Sequence, residues 1–256
     1  AERGDIAAVG WLLAAKASLE ARGNHDRTPL LEAAEHGHAE AARLLVDARA
    51  TVDAIDRTGA NALMLAVRAN DADTISVLIE AKIDIEARDH NNLTPLLLAA
   101  HHCRVAALEL LVGARAEVDV RDGEDMTPLL RAARQGQLDT MRVLIAAKAD
   151  LNATDHCGYT ALMCAVVGGH IDAIRVLIEA KAALDTRDKS NATPLLHAAG
   201  KGDAAAVEAL AGAGAALDAR DGLGWTPLMR AARMGGAAAV RALLQVALSV
   251  GDVRVN

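Results

Sequence analysis

The sequence predicts an elongated all-α array of stacked helix pairs. Three observations carry that expectation: a single repeat period, a helix start in every period, and two apolar columns behind each start. The period is 33 residues, the step from Thr127 to Thr160, and Thr28, Thr94, Thr193 and Thr226 keep the same register with Asn61 in the remaining slot. Proline follows at 29, 95, 128, 194 and 227, which uses all 5 prolines of the chain, while Ala62 and Ala161 replace it in the other two copies. A threonine oxygen can accept from the free N–H groups of a first helical turn, and proline has its φ preset for a helix and no N–H to leave unbonded. Each Thr-Pro pair therefore predicts a helix start. Paired alanines such as Ala132-Ala133 and Ala198-Ala199 follow, removing bulk where helices must lie close.

Counting from the Asp that precedes each Thr divides the chain into units at 23–55, 56–88, 89–121, 122–154, 155–187, 188–220 and 221–256, after a partial unit at 1–22. Gly4-Asp5 matches the middle of a repeat, so the first copy is expected to lack its front half and the N-terminus to be truncated or processed. Each unit opens on a polar turn such as Asp155-His156-Cys157-Gly158-Tyr159, and its first helix is expected to end near Gly168-Gly169-His170 or the equivalent. The second helix carries the columns Val9, Ala42, Ile75, Leu108, Met141, Ile174, Val207, Val240 and Leu12, Leu45, Leu78, Leu111, Leu144, Leu177, Leu210, Leu243, which are expected to be core. Trp11 falls in a core column of the same helix. The last full unit places Ala209, Ala211 and Ala242 where other copies use larger residues, and the tail from Val246 to Val250 is apolar, so the C-terminal end is expected to be weak or covered by further chain.

With 256 residues in one unbroken repeat, a single array with a core along its whole length is expected. No Phe, one Tyr and two Trp leave that core to aliphatic residues. Three cysteines make no disulfide framework and favour an intracellular reducing compartment: cytoplasm, nucleus or organelle interior. The apolar runs are shorter than a membrane span, and the net charge of −7 argues against whole-protein attraction to nucleic acid or anionic lipid.

The pattern Asp-x-x-Gly-x-Thr-Pro-Leu, Ala-Ala, Gly-His, Leu-Leu, Ala-Asp-Leu-Asn resembles the ankyrin repeat over essentially the whole chain. The resemblance implies an ankyrin-repeat solenoid of stacked antiparallel helix pairs with projecting β-hairpin turns, and a concave face that binds other proteins. Two departures stand out. The family's His after Thr-Pro-Leu is replaced by Leu31, Met64, Leu97, Leu130, Met163, Leu196 and Met229, exchanging hydrogen bonding for apolar packing. Its Gly after the second helix is replaced by Lys16, Arg49, Lys82, Arg115, Lys148 and Lys181, with Gly214 retained. If the left-handed backbone persists there, each replacement costs up to roughly 1 kcal/mol, partly offset by a cation at a helix C-terminus. A ladder of basic C-caps is expected.

The family's binding positions, carried over copy by copy, give the candidate site. The fifth turn position holds Arg27, Ala60, Leu93, Met126, Tyr159, Ala192 and Trp225; Tyr159 and Trp225 are either exposed anchors or rings lying on the neighbouring turn. Arginines at the turn edge (Arg22, Arg88, Arg121, Arg187, Arg220) and cations of the first helices (Arg68, Arg131, Arg134, Lys201, Arg230, Arg233) suggest a basic face on an acidic protein, suited to an acidic partner segment. Alternatively, arginines that precede Asp89, Asp122, Asp188 and Asp221 form solvated salt bridges of little worth. His101 and His102 are read as groove-lining. His101-His102-Cys103 and His156-Cys157 with Cys164 lack the paired spacing of a closed tetrahedral centre, so no metal or other cofactor is expected. No nucleophile-base constellation, phosphate loop or catalytic signature is visible, and no enzyme is expected.

The reading is a non-enzymatic scaffold that binds a protein partner through Arg27, Arg88, His101, His102, Arg121, Met126, Arg134, Tyr159, Arg187, Arg220, Trp225 and Arg233. The alternative is a structural linker subunit of a larger assembly or longer chain. Nucleic-acid binding by the basic groove ranks last, since aromatic interleaving is missing.

Overall fold

The computed structural model describes residues 6–253. Gly4 and Asp5 of the partial first unit lie outside them. Fifteen α-helices are present among the described residues, and Ile55 and Asn61 form an isolated antiparallel bridge; the expected β-hairpins are otherwise hydrogen-bonded turns. The chain divides into two compact units, Ala1–Gly123 and Glu124–Asn256.

In the first unit, α1 (Ile6–Ala14) is followed by the pairs α2 (Pro29–Glu35) with α3 (Ala39–Asp47), α4 (Ala62–Ala69) with α5 (Ala72–Glu80), and α6 (Pro95–His101) with α7 (Val105–Gly113). In the second, α8 (Pro128–Gln135) pairs with α9 (Leu138–Ala146), α10 (Ala161–Gly168) with α11 (Ile171–Glu179), α12 (Pro194–Lys201) with α13 (Ala204–Gly212), and α14 (Pro227–Arg233) with α15 (Ala237–Val253). Connections of two or three residues return the chain on itself within a pair. Within each unit, first helices stack on first helices and second on second, as α2 on α4 and α11 on α13.

The helix starts form as the Thr-Pro register requires. Thr28, Thr94, Thr127, Thr160, Thr193 and Thr226 sit in extended backbone and accept from the N–H three residues on, and Asn61 does the same for Met64. The second-helix columns from repeat 23–55 onward are buried, except that Val240 is half-buried. Trp11 and Leu12 correct the core expectation: they are 78% and 57% exposed. Their helix packs on α3 and has no first helix of its own repeat to lean against.

The repeats from 23–55 to 188–220 each use left-handed backbone at three places that recur every 33 residues: the end of the second helix, the connection between the paired helices (Gly37, Asn70, Cys103, Gly136, Gly169, Gly202) and the turn tip. Lys16, Arg49, Lys82, Arg115, Lys148, Lys181 and Gly214 all have φ between 55° and 98°, so the ladder of basic C-caps is present. Lys148 shows its work: its N–H reaches the Ile145 carbonyl and the next N–H, Ala149, reaches Leu144, closing the last turn of α9. The third place is the turn tip, where Gly158 has φ 84° and a Cβ would stand 3.1 Å from Asp188 Cα, so both conformation and close approach require glycine there.

The turns are held by their first residue. Asp155 Oδ1 accepts from the N–H groups of Cys157 and Tyr159 at 2.8 Å each, and Asp56, Asp89, Asp188 and Asp221 do the same two and four residues on. The second oxygen meets a basic side chain: Arg27 on Asp56, Arg68 on Asp89, the His197 imidazole on Asp188 and Arg230 on Asp221. Consecutive repeats are joined further by side-chain acceptors 31 residues before a backbone N–H. Glu86 to Glu117 at 2.8 Å lies in one unit, and Asp185 to Ala216 at 2.9 Å in the other.

Two outcomes are expected. Lys148→Gly keeps the φ of 67° without a Cβ penalty and should raise stability by up to about 1 kcal/mol in urea unfolding, whereas Lys148→Val should lower it. Burial alone would raise the carboxyls of Asp56, Asp188 and Asp221, but turn N–H groups, hydroxyls and cations override it and hold all three below the ordinary range. A depressed folded pKa means that the unfolded chain binds more protons on acidification. Stability from these groups is therefore complete above about pH 4 and is lost as pH falls through the lower folded values. Asp221→Asn should flatten that part of the loss in melting temperatures taken from about pH 6 to pH 3.

Candidate partner-binding surface

The structure sorts the cations of the expected basic face into two sets. Most are consumed by the fold. Arg88 donates to the Asn92 carbonyl at 3.0 Å and to the Arg121 carbonyl, 33 residues on, at 2.8 Å; Arg187 spans Asn191 and Arg220 in the same way. Arg220 donates to the Gly224 carbonyl at 2.9 Å. These arginines bracket their own turn and the next one, and the neighbouring aspartates take their cations from elsewhere, so the expected pairs between sequence neighbours do not form at Asp89, Asp188 and Asp221. Arg27, only 14% exposed in its side chain, is held between Glu35 at 3.4 Å and Asp56 at 3.5 Å. Lys201 donates to the Val166 and Val167 carbonyls at the end of α10, a capping role that its sequence position did not announce. Arg68, Arg131 and Arg230 are ion-paired.

Two cations of the second unit differ. Arg134 and Arg233 are exposed, and neither guanidinium has an ion-pair partner among the described residues. Arg233 lies over the Trp225 ring with its guanidinium carbon 4.9 Å from the centroid, a cation–π contact. Arg134 stands at the rim of a cleft of about 310 Å³ whose other walls are Asp155, His156, Cys157, Tyr159, Cys164 and Val167.

Tyr159 and Trp225 are both half-buried. The Tyr159 ring meets His197 of α12 edge-on, at 5.2 Å between centroids and 65° between planes. Each aromatic thus rests on a side chain of a first helix, and its N–H is held by the turn aspartate. Burial and the negative charge of Asp188 push the Tyr159 hydroxyl pKa up, so it remains a donor at neutral pH. Burial also pushes the Cys164 thiol up to about 12, with Asp155 adding to the shift and Arg134 opposing it.

Met126 is the one candidate that the structure removes from the surface. It is 1% exposed, and Ala60 and Ala192 at the same turn position are buried with it. Arg27, Leu93, Tyr159 and Trp225 at that position are half-buried. In the first unit His101 and His102 are exposed and stand ring edge to face at 4.9 Å. Burial, then the charges of His101, Arg104 and Arg68, lower the His102 pKa, so it is neutral at pH 7. Arg121 is engaged in a further interaction.

No described helix is long and apolar enough to cross a membrane. The sequence matches no curated protein closely enough to identify a relative. Among solved structures, the chain is similar to the ankyrin repeat domain of Bcl-3, a member of the IkappaB protein family, with a TM-score of 0.80 and 24% identity over 85% of this chain and 98% of that one. The human ASB11 ankyrin repeat domain gives 0.73 and 24% over 86% and 98%. An ankyrin repeat domain from Acinetobacter baumannii AYE gives 0.69 and 32% over 72% and 97%. A family model of ankyrin repeats in three copies matches residues 1–89, 96–188, 137–221 and 181–253. With that coverage, and with stacked helix pairs in both units, the chain belongs to the ankyrin-repeat family.

Proposed function

We propose that this non-enzymatic interaction scaffold holds a protein partner on the turn and first-helix surface of its second unit, and that the bound segment is acidic with an apolar or aromatic anchor. The supporting observation is the pairing of each half-buried aromatic turn residue with a nearby cation that has no carboxylate partner: Tyr159 with Arg134 at the cleft, Trp225 with Arg233 in the cation–π contact. An aromatic side chain with one face packed and a cation beside it offers contact area at low entropic loss and a charge-assisted donor. Arg187 and Arg220 add spare N–H groups to the same surface, and Arg88, His101 and His102 extend the proposal to the first unit.

A second reading rests on a different observation. Leu228 and Met229 of α14 are 39% and 49% exposed, while their counterparts Leu195 and Leu196 are 0% and 2% exposed. Leu244 and Leu248 of α15 are exposed as well. That apolar end face supports a subunit packed into a larger assembly.

Affinity purification from the native source separates the two. Tyr159→Ala/Trp225→Ala/Arg134→Glu/Arg233→Glu, with unchanged helical content, should lose a partner that the unaltered protein retains; Met229→Lys should lose none. The opposite pattern would transfer the function to the end face. With the partner in hand, Arg134→Ala should weaken binding by about tenfold or more. Arg187→Ala should weaken it less and should lower stability by about 1 kcal/mol through its lost carbonyl bonds.

A further inference from the structure

We propose that Asp155, His156 and Cys157 form a binding site for Zn²⁺. Their ligating atoms, a carboxylate oxygen, an imidazole nitrogen and a thiol sulfur, all lie within 4.8 Å of one another. In a tetrahedral zinc site neighbouring donors stand about 3.5 Å apart, and rotation of the exposed Cys157 side chain can bring its thiol to that distance. A mixed oxygen, nitrogen and sulfur set selects a borderline cation such as Zn²⁺ over Mg²⁺ or Ca²⁺.

The charge balance of the repeats points to the same place. Asp56, Asp89 and Asp221 each hold an arginine on the second carboxylate oxygen and Asp188 holds an imidazole nitrogen, whereas Asp155 has no such partner in range. In the two following repeats the partner comes from the ninth residue after the aspartate: His197 Nε2 at 2.7 Å from Asp188 and Arg230 Nε at 2.7 Å from Asp221. The ninth residue after Asp155 is Cys164. Arg134, which corresponds to the Arg68 that pairs with Asp89, stands at the cleft but makes no such pair. The repeat that lacks a cation for its aspartate also holds two of the three cysteines, and a dication bound there restores the charge that the other turns obtain from protein.

The histidine is already oriented for the role. His156 Nδ1 lies 3.1 Å from the Glu124 carbonyl, which can only accept, so that nitrogen donates and Nε2 is the ring atom left to coordinate. A backbone carbonyl on the far nitrogen is the usual outer-shell support of a metal-bound imidazole. Asp155 Oδ1 is held by two turn N–H groups, which leaves Oδ2 to coordinate. Three protein ligands leave one coordination position facing the cleft beside Tyr159.

Cobalt titration of the reduced full chain tests the site, because Co²⁺ bound by a thiolate gives a charge-transfer band and intense tetrahedral visible bands. The expected result is one Co²⁺ per chain, displaced by Zn²⁺. Cys157→Ser should abolish the charge-transfer band, and His156→Ala and Asp155→Asn should each weaken binding by at least about tenfold. Cys103→Ser should change nothing. Helical content is checked for every variant, and the exposed Cys157→Ser is the least disruptive of them. A titration with no thiolate band, binding that survives in Cys157→Ser and His156→Ala, or binding lost in Cys103→Ser would overturn the site.

Discussion

The carboxylate that opens the turns at Asp56, Asp89, Asp155, Asp188 and Asp221 is the constraint on which the rest depends. One of its oxygens collects two N–H groups that a tight turn would otherwise leave unbonded, and in all but Asp155 the other meets an arginine or histidine side chain. The first bond pair fixes the turn and thereby the backbone of its fifth residue; the second ties turn to helix. Carboxylates this deeply buried are tolerable only because every lone pair is used in this way. The surface proposed to meet a partner is positioned by the same bonds, since the carboxylates hold the N–H groups of Tyr159 and Trp225.

What the sequence revealed and what it hid divide along the range of the interactions. Thr-Pro helix starts, second-helix columns and basic C-caps depend on residues within a few positions of one another, and all are present. Lys and Arg are tolerated in left-handed backbone there because the caps carry their hydrogen bonds at helix C-termini, where a cation is favoured. Trp11 misled because a column predicts burial only where a paired helix exists to cover it. The fate of each arginine was hidden as well. Arg187 finds its acceptor 33 residues away and Lys201 finds carbonyls 34 and 35 residues back, distances set by stacking and not by local pattern. Met126 and Tyr159 hold one position in the turn, yet one is buried and the other half-exposed, and the local pattern does not separate them. A comparison of the ninth residue after each turn aspartate (Cys164, His197, Arg230) would have exposed the altered charge balance at Asp155 before any coordinates.

This division gives the surface its character. A chain of net charge −7 presents few cations that are free of structural duty, and among the candidate residues of the second unit Arg134 and Arg233 stand beside its only turn aromatics. Repeat proteins stabilise each unit through its neighbours, so a side chain that brackets two turns acts on stability first and on recognition second. The repeat at 155–187 departs from that economy: its aspartate lacks a protein cation, and its turn joins a histidine to a thiol that the other turns do without.

Native-state hydrogen exchange at the amides of Tyr159 and Trp225 tests the central claim most directly. If the turn carboxylates hold these groups as the 2.8 Å and 2.9 Å contacts imply, both amides are protected to the level of the first-helix amides beside them and lose that protection together with the carboxylate charge on acidification. Exchange at the rate of an unfolded peptide, with the helices still protected, would contradict the account.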